Sequence, residues 1–92
     1  MNFLEETNNT NTIEVWVEER GRKSDTYVSG WNINDIKLKE NLKAIKKSKG
    51  CNGSIKEIEK IKVLHLQGNH RDYIIEYIKN TGIDESLIKV KL

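Results

Sequence analysis

Residues 26–50 read TYVSGWNINDIKLKENLKAIKKSKG, and the spacing of the apolar side chains changes within them. Thr26, Tyr27 and Val28 are β-formers, which suit a half-buried pleated surface. From Asn34 onward the period lengthens. Leu38, Leu42 and Ile45 fall at i, i+4 and i+7, one stripe of a helix, and lysines cover the opposite face. Asn34 or Asp35 suits the N-cap, and Gly50 suits the left-handed position that ends a helix. A strand handing over to an amphipathic helix points to a mixed fold.

Toward the N-terminus, Ile13, Val15 and Val17 alternate with Glu14, Trp16 and Glu18. Period two marks a strand with one buried face. Trp16 lies on the polar side and is expected to pack on its sheet neighbours. The intervening EERGRKSDTY, residues 18–27, holds Gly21, Ser24 and Asp25, turn-forming residues, so a hairpin with a long basic loop is expected. Toward the C-terminus, CNGS marks a turn before Ile55. KVLHLQG reads as a central strand, and EIEKIK before it as a hairpin connection or an extension of that strand. NHRDYIIEYIKNTG returns to helical spacing through Ile74 and Ile78, with Asn69 as a candidate cap and Gly82 as a stop. SLIKVKL alternates again. The order β-β-α-β-β-α-β predicts an α+β fold. Its architecture is a two-layer α/β sandwich, two helices on one face of a mainly antiparallel four- to five-stranded sheet. Residues 1–12 are polar and predict a flexible tail ahead of a single domain spanning 13–92.

The totals are consistent with that. A chain of 92 residues suits one domain with one modest core. No apolar run approaches the roughly 20 residues of a membrane span, and no membrane partner is expected. The start lacks the basic and apolar regions of a secretory signal, and the one cysteine, Cys51, cannot form an internal disulfide. A reducing, cytoplasmic setting is expected. Net charge is only +2, but residues 1–19 carry −5, residues 37–49 carry +5 and Arg20–Asp25 carry +2. Such unevenness can orient a protein on an anionic partner. Lys46, Lys47 and Lys49 also complement the dipole at the end of their helix, a purely structural role. Lys, Ile and Asn number 13, 12 and 10 against 3 Arg, the bias of an AT-rich genome.

Catalytic and metal chemistry find little support. His65 and His70 have neither ligand spacing nor a CxxC partner, so no metal and no cofactor are expected. Cys51 has no base beside it in sequence, and no phosphate loop is present. QGNHR, residues 67–71, places Gly68, Asn69, His70 and Arg71 at a strand-to-helix turn where an anion could bind. A turn glycine and a capping asparagine account for two of them without function. A small hydrolase of the acylphosphatase type, using Arg71, is a remote alternative.

The pieces GRKSDTYVSGW, LKENLKAIKKSKGCNGSI, VLHLQGNHRDYIIEYI and GIDESLIKVKL, taken in that order, resemble the SUI domain of the eukaryotic translation initiation factor 1 family. The resemblance covers residues 20 to 91, and the ordered set is far more specific than any one piece. It implies a non-enzymatic factor that binds the small ribosomal subunit near the initiator tRNA, favours scanning and promotes accurate start-codon selection. The implied partners are small-subunit RNA, the nearby initiator tRNA and other initiation factors, for a protein expected to be a monomer. Arg20, Arg22 and Lys23 at the hairpin tip, helix lysines Lys39, Lys43, Lys46 and Lys47, and Arg71 are the implied RNA contacts. Gln67, Gly68 and Asn69 fall in a segment linked to start-site fidelity. An alternative is a SUI-domain regulator acting in reinitiation, recycling or viral control of host ribosomes. Asp25, Asn69, Lys49 and the terminal VKL depart from the family pattern and suggest a divergent member. Asp25 is expected to weaken the field of the tip.

Overall fold

A computed structural model of the chain describes residues 12–91. The expected tail, residues 1–12, lies outside the described residues except for Thr12. Strand β1, Ile13–Arg20, and strand β2, Lys23–Ser29, form an antiparallel hairpin whose register pairs Arg20 with Lys23. The loop is therefore two residues, Gly21 and Arg22, and not the long basic loop expected. Gly21 takes φ 61, the positive φ that a type II′ turn needs at its first position. Ser24 and Asp25 look like turn residues by composition. They are held extended opposite Glu19 and Glu18, and Asp25 has tertiary partners described below.

Helix α1, Asp35–Lys49, starts at Asn34, whose side chain accepts the Lys37 N–H at 2.8 Å. It ends at Gly50, with φ 61, where the N–H groups of Gly50 and Cys51 both reach Lys46 O. A residue with a Cβ would be strained there. Strands β3, Gly53–Ile58, and β4, Ile61–Gln67, form a second hairpin; EIEKIK is both strand and connection, since Glu57 and Ile58 end β3, Glu59 and Lys60 turn, and Ile61 and Lys62 extend β4, which lies inside the sheet as expected. Helix α2, Arg71–Asn80, begins one residue later than an Asn69 cap would require. Its N-cap position is His70, which makes no side-chain cap bond. Asn69 Oδ1 still accepts the Arg71 N–H at 3.3 Å. A 3-10 turn, Glu85–Leu87, leads into β5, Ile88–Val90, which runs parallel to β1.

The sheet order is β3-β4-β2-β1-β5, with both helices on one face. The inward residues Ile13, Val15, Val28, Leu64 and Leu66 meet Leu38, Leu42 and Ile45 of α1 and Ile74 and Ile78 of α2. Each fully buried isoleucine contributes roughly 1.5–3 kcal/mol through burial. Trp31, 6% exposed, closes one end of this core with its ring edge-on to Tyr77 at 6.2 Å. Tyr77 Oη joins the two helices by donating to Asn41 Oδ1 at 2.6 Å. Among the described residues the other face of the sheet carries no helix. Among the described residues no helix is long and apolar enough to cross a membrane.

The β3–β4 turn is unusual. Glu59 and Lys60 take φ 52 and 69, the type I′ geometry that Asn-Gly adopts readily. A left-handed conformation costs an ordinary residue roughly 1–2 kcal/mol. Replacing Glu59→Asn and Lys60→Gly together is expected to stabilise the protein by about 1 kcal/mol after the added freedom of the unfolded chain is counted. Calorimetry should show Tm rising by roughly 4–8 °C. A fall in Tm would mean that the native side chains stabilise the turn by more than its backbone strain costs.

Candidate nucleic-acid interface

The β1–β2 turn, the C-terminal end of α1 and the end of β4 converge on one open hollow of about 690 Å³. Arg20, Arg22 and Lys23 approach from the hairpin, Lys46 from α1, and Gln67 and Gly68 from the strand-to-helix connection. Sequence separation hides this meeting. The β2–β4 register creates it by setting Asp25 opposite Gln67, and Gly68 N–H donates to Ser24 O at 2.7 Å.

Two neighbouring residues of β2 fix the hollow from opposite faces, because successive strand side chains point opposite ways. Asp25 is 1% exposed although it is charged. Arg20 Nε donates to its Oδ2 at 2.7 Å, and His65 Nε2 donates to its Oδ1 at 2.8 Å. The hydrogen bond from Arg20 first, then that from His65, hold its carboxyl below the ordinary 3.8 against the opposing effect of burial. Thr26, fully buried, donates to Gly68 O at 2.6 Å and accepts from His70 N–H at 2.9 Å. His70 Nε2 in turn donates to Gln67 O at 2.8 Å. Residues 67–70 are thereby bound to the back of the hairpin tip.

Asp25 thus plays a larger part than a carboxylate that merely weakens the tip. It takes up the charge of Arg20 and leaves Arg22 and Lys23, both exposed, to face solvent. Lys46 is half-buried at the wall. By helical spacing, Lys39 and Lys43 continue the flank begun by Lys46, and they are exposed outside the hollow, as is Lys47. Lys49 falls on the core-side stripe and lays its ammonium 4.9 Å above the Tyr73 ring, which explains a cation at that position. Asn69 lines a separate small depression with Lys49, and Arg71, 3.5 Å from Asp72, stands outside the hollow. Cys51 and Asn52 complete the wall, although CNGS looked only like a turn. Burial pushes the Cys51 thiol up, so it is poorly disposed to act as a nucleophile. No three His, Cys, Asp or Glu side chains cluster as metal ligands among the described residues.

Two expectations follow. A depressed carboxyl binds its proton more weakly in the folded chain than in the unfolded one. The stability it adds is complete above the unfolded value near 3.8 and is lost as pH falls through the folded value. Urea midpoints should therefore separate wild type from Asp25→Asn at pH 7 and converge as pH falls below about 4. A gap that does not change with pH counts against this role of the charge. Thr26→Val removes both hydrogen bonds while keeping the shape, and should lower unfolding free energy by about 2 kcal/mol in the same assay.

Comparison with known proteins identifies the family. Residues 9–84 match the family described as translation initiation factor SUI1. The chain is 34% identical over 89 residues to protein translation factor SUI1 of Eremothecium gossypii, covering 94% of this chain and 82% of that one. It is 30% identical over 92 residues to a SUI1 homolog of the archaeon Thermococcus gammatolerans, covering 99% and 90%. Protein translation factor sui1 of Schizosaccharomyces pombe is 34% identical over 83 residues, covering 87% and 75%. With the expected order of elements and this breadth of match, the chain belongs to the translation initiation factor SUI1 family, which is not a family of enzymes.

Proposed function

We propose that the protein binds the small ribosomal subunit near the initiator tRNA, with the hollow and hairpin tip against RNA, and promotes scanning and accurate start-codon choice. The observation that carries this reading is the meeting of Arg22, Lys23 and Lys46, from two separate elements, around one open concavity. Cations spaced across a concave surface neutralise phosphates without reading sequence, and folded RNA is recognised largely by shape. The exposed flank Lys39–Lys43 prolongs the same field along α1. Contacts of this kind are weakened by salt, which suits a factor that binds and later leaves. Residues 67–69, tied to the tip through Thr26 and Ser24, would report a change at the tRNA side to the same surface.

The test is co-sedimentation with purified small subunits across a salt series. Replacing Arg22, Lys23 and Lys46 by Ala should weaken binding and flatten the slope of log K against log salt by about 2, at roughly 0.7 per lost phosphate contact. Arg20→Ala should act mainly on stability, since its guanidinium is engaged by Asp25. An unchanged affinity and slope in the triple variant would remove the hollow from the interface. Initiation from near-cognate start codons, read by a reporter in cells, should rise with the same variant.

A further inference from the structure

Among the described residues, the sheet face away from the helices carries a row of stacked rings. Trp16 and Tyr27 are paired across β1 and β2, and their rings stack at 5.4 Å and 16°. Tyr27 and His65 are paired across β2 and β4, and stack at 5.0 Å and 22°. Ser54 of β3 is the next partner in the same row. The row is closed at the β1 end. Lys91 Nζ lies 4.7 Å over the Trp16 ring, and Trp16 Nε1 donates to Glu18 Oε2 at 3.0 Å. At the β3 end it stops at a small, exposed side chain on an edge strand.

We propose that this open end, beside His65 and above Ser54, takes one unpaired nucleobase of an RNA strand whose phosphate lies in the neighbouring hollow. The inference rests on the proposed RNA contact of that hollow. A flat ring placed about 5 Å beyond His65 would continue the cross-strand stack, since neighbouring strands lie roughly 4.8 Å apart. Stacking of this kind accepts any base and is used by proteins that hold single strands. His65 is held in position by Asp25, itself part of the hollow wall, and Gln67, on the same side of β4, lines the hollow as well. Asn52 also lines it and precedes Ser54 by two residues, so the base position and the phosphate position are continuous. Lys56, exposed on the same face of β3, supplies a further cation for the strand. Charge complementarity and this continuity favour a nucleotide over a second copy of the chain.

The experiment is an NMR titration of the full chain at low salt with the RNA tetranucleotide AAAA and with an abasic strand of equal length. AAAA is expected to bind about tenfold tighter, within the range for one stacked base. It should also move the His65 ring protons upfield, which the abasic strand should not. Ser54→Ile, which covers the ring with a non-planar side chain and leaves Asp25 untouched, should abolish the difference and preserve abasic binding. Equal affinities with unmoved ring protons would overturn this inference while leaving the phosphate hollow intact. A base-dependent gain that survives Ser54→Ile would overturn it too. Failure of both strands to bind would overturn the phosphate reading along with it. Self-association through β3 without any base effect would assign the edge to a second copy.

Discussion

A buried carboxylate must be paired, and that constraint organises this molecule. Asp25 sits on the middle strand of the sheet, nearly without solvent. An unpaired charge there would cost far more than its hydrogen bonds return. Arg20 and His65 meet the requirement from two different strands. The same two contacts join β1 and β4 to β2, anchor a histidine on the outer face and set one wall of the hollow. Thr26, one residue on and pointing the other way, does the matching work for the 67–70 connection. Neighbouring residues of one strand therefore lock the site from both sides of the sheet.

The electrostatics of the surface follow from that lock. Of the three exposed cations packed into residues 20–23, Arg20 is paired through its Nε with Asp25. The lysines of α1 divide in a similar way. Lys49 rests on Tyr73, Lys46 enters the hollow, and Lys39, Lys43 and Lys47 remain in solvent. The +5 of residues 37–49 is thus a flank that leads to the hollow rather than a uniform wet face. Exposed charges act over about 8–10 Å at ordinary salt, so the field of such a flank extends about that far into solvent.

The open sheet face has the opposite character. Its rings stack on one another instead of on a helix, so a two-layer fold keeps large aromatics half-buried without a third layer. At the far end of the second hairpin, Ile58 and Ile61 face each other across the strained Glu59-Lys60 turn, each 54% exposed. That end gains little from the core, and its backbone geometry is imposed by strand pairing rather than by its own residues.

Much of this was legible from side-chain periodicity. The alternation of Ile13 and Val15 and the stripe of Leu38, Leu42 and Ile45 dictate which faces must be buried, because an apolar face must find an apolar partner, whereas Val17 at the end of that alternation is only half-buried. Cap chemistry at Asn34 and Gly50 is local and was readable for the same reason. The turn after Arg20 reads as long because Ser24 and Asp25 resemble turn residues until their partners are known. The later start of α2 at Arg71 had no local signal, since His70 caps nothing with its side chain. By itself the sequence determined the order of elements, the inward faces and the presence of basic segments. Only the tertiary structure decided that Arg20 is neutralised, that Lys46 joins the hairpin tip and that His65 extends an aromatic row. Each of those depends on strand register and on burial of Asp25, which bring together residues up to 42 positions apart and leave no trace in local spacing.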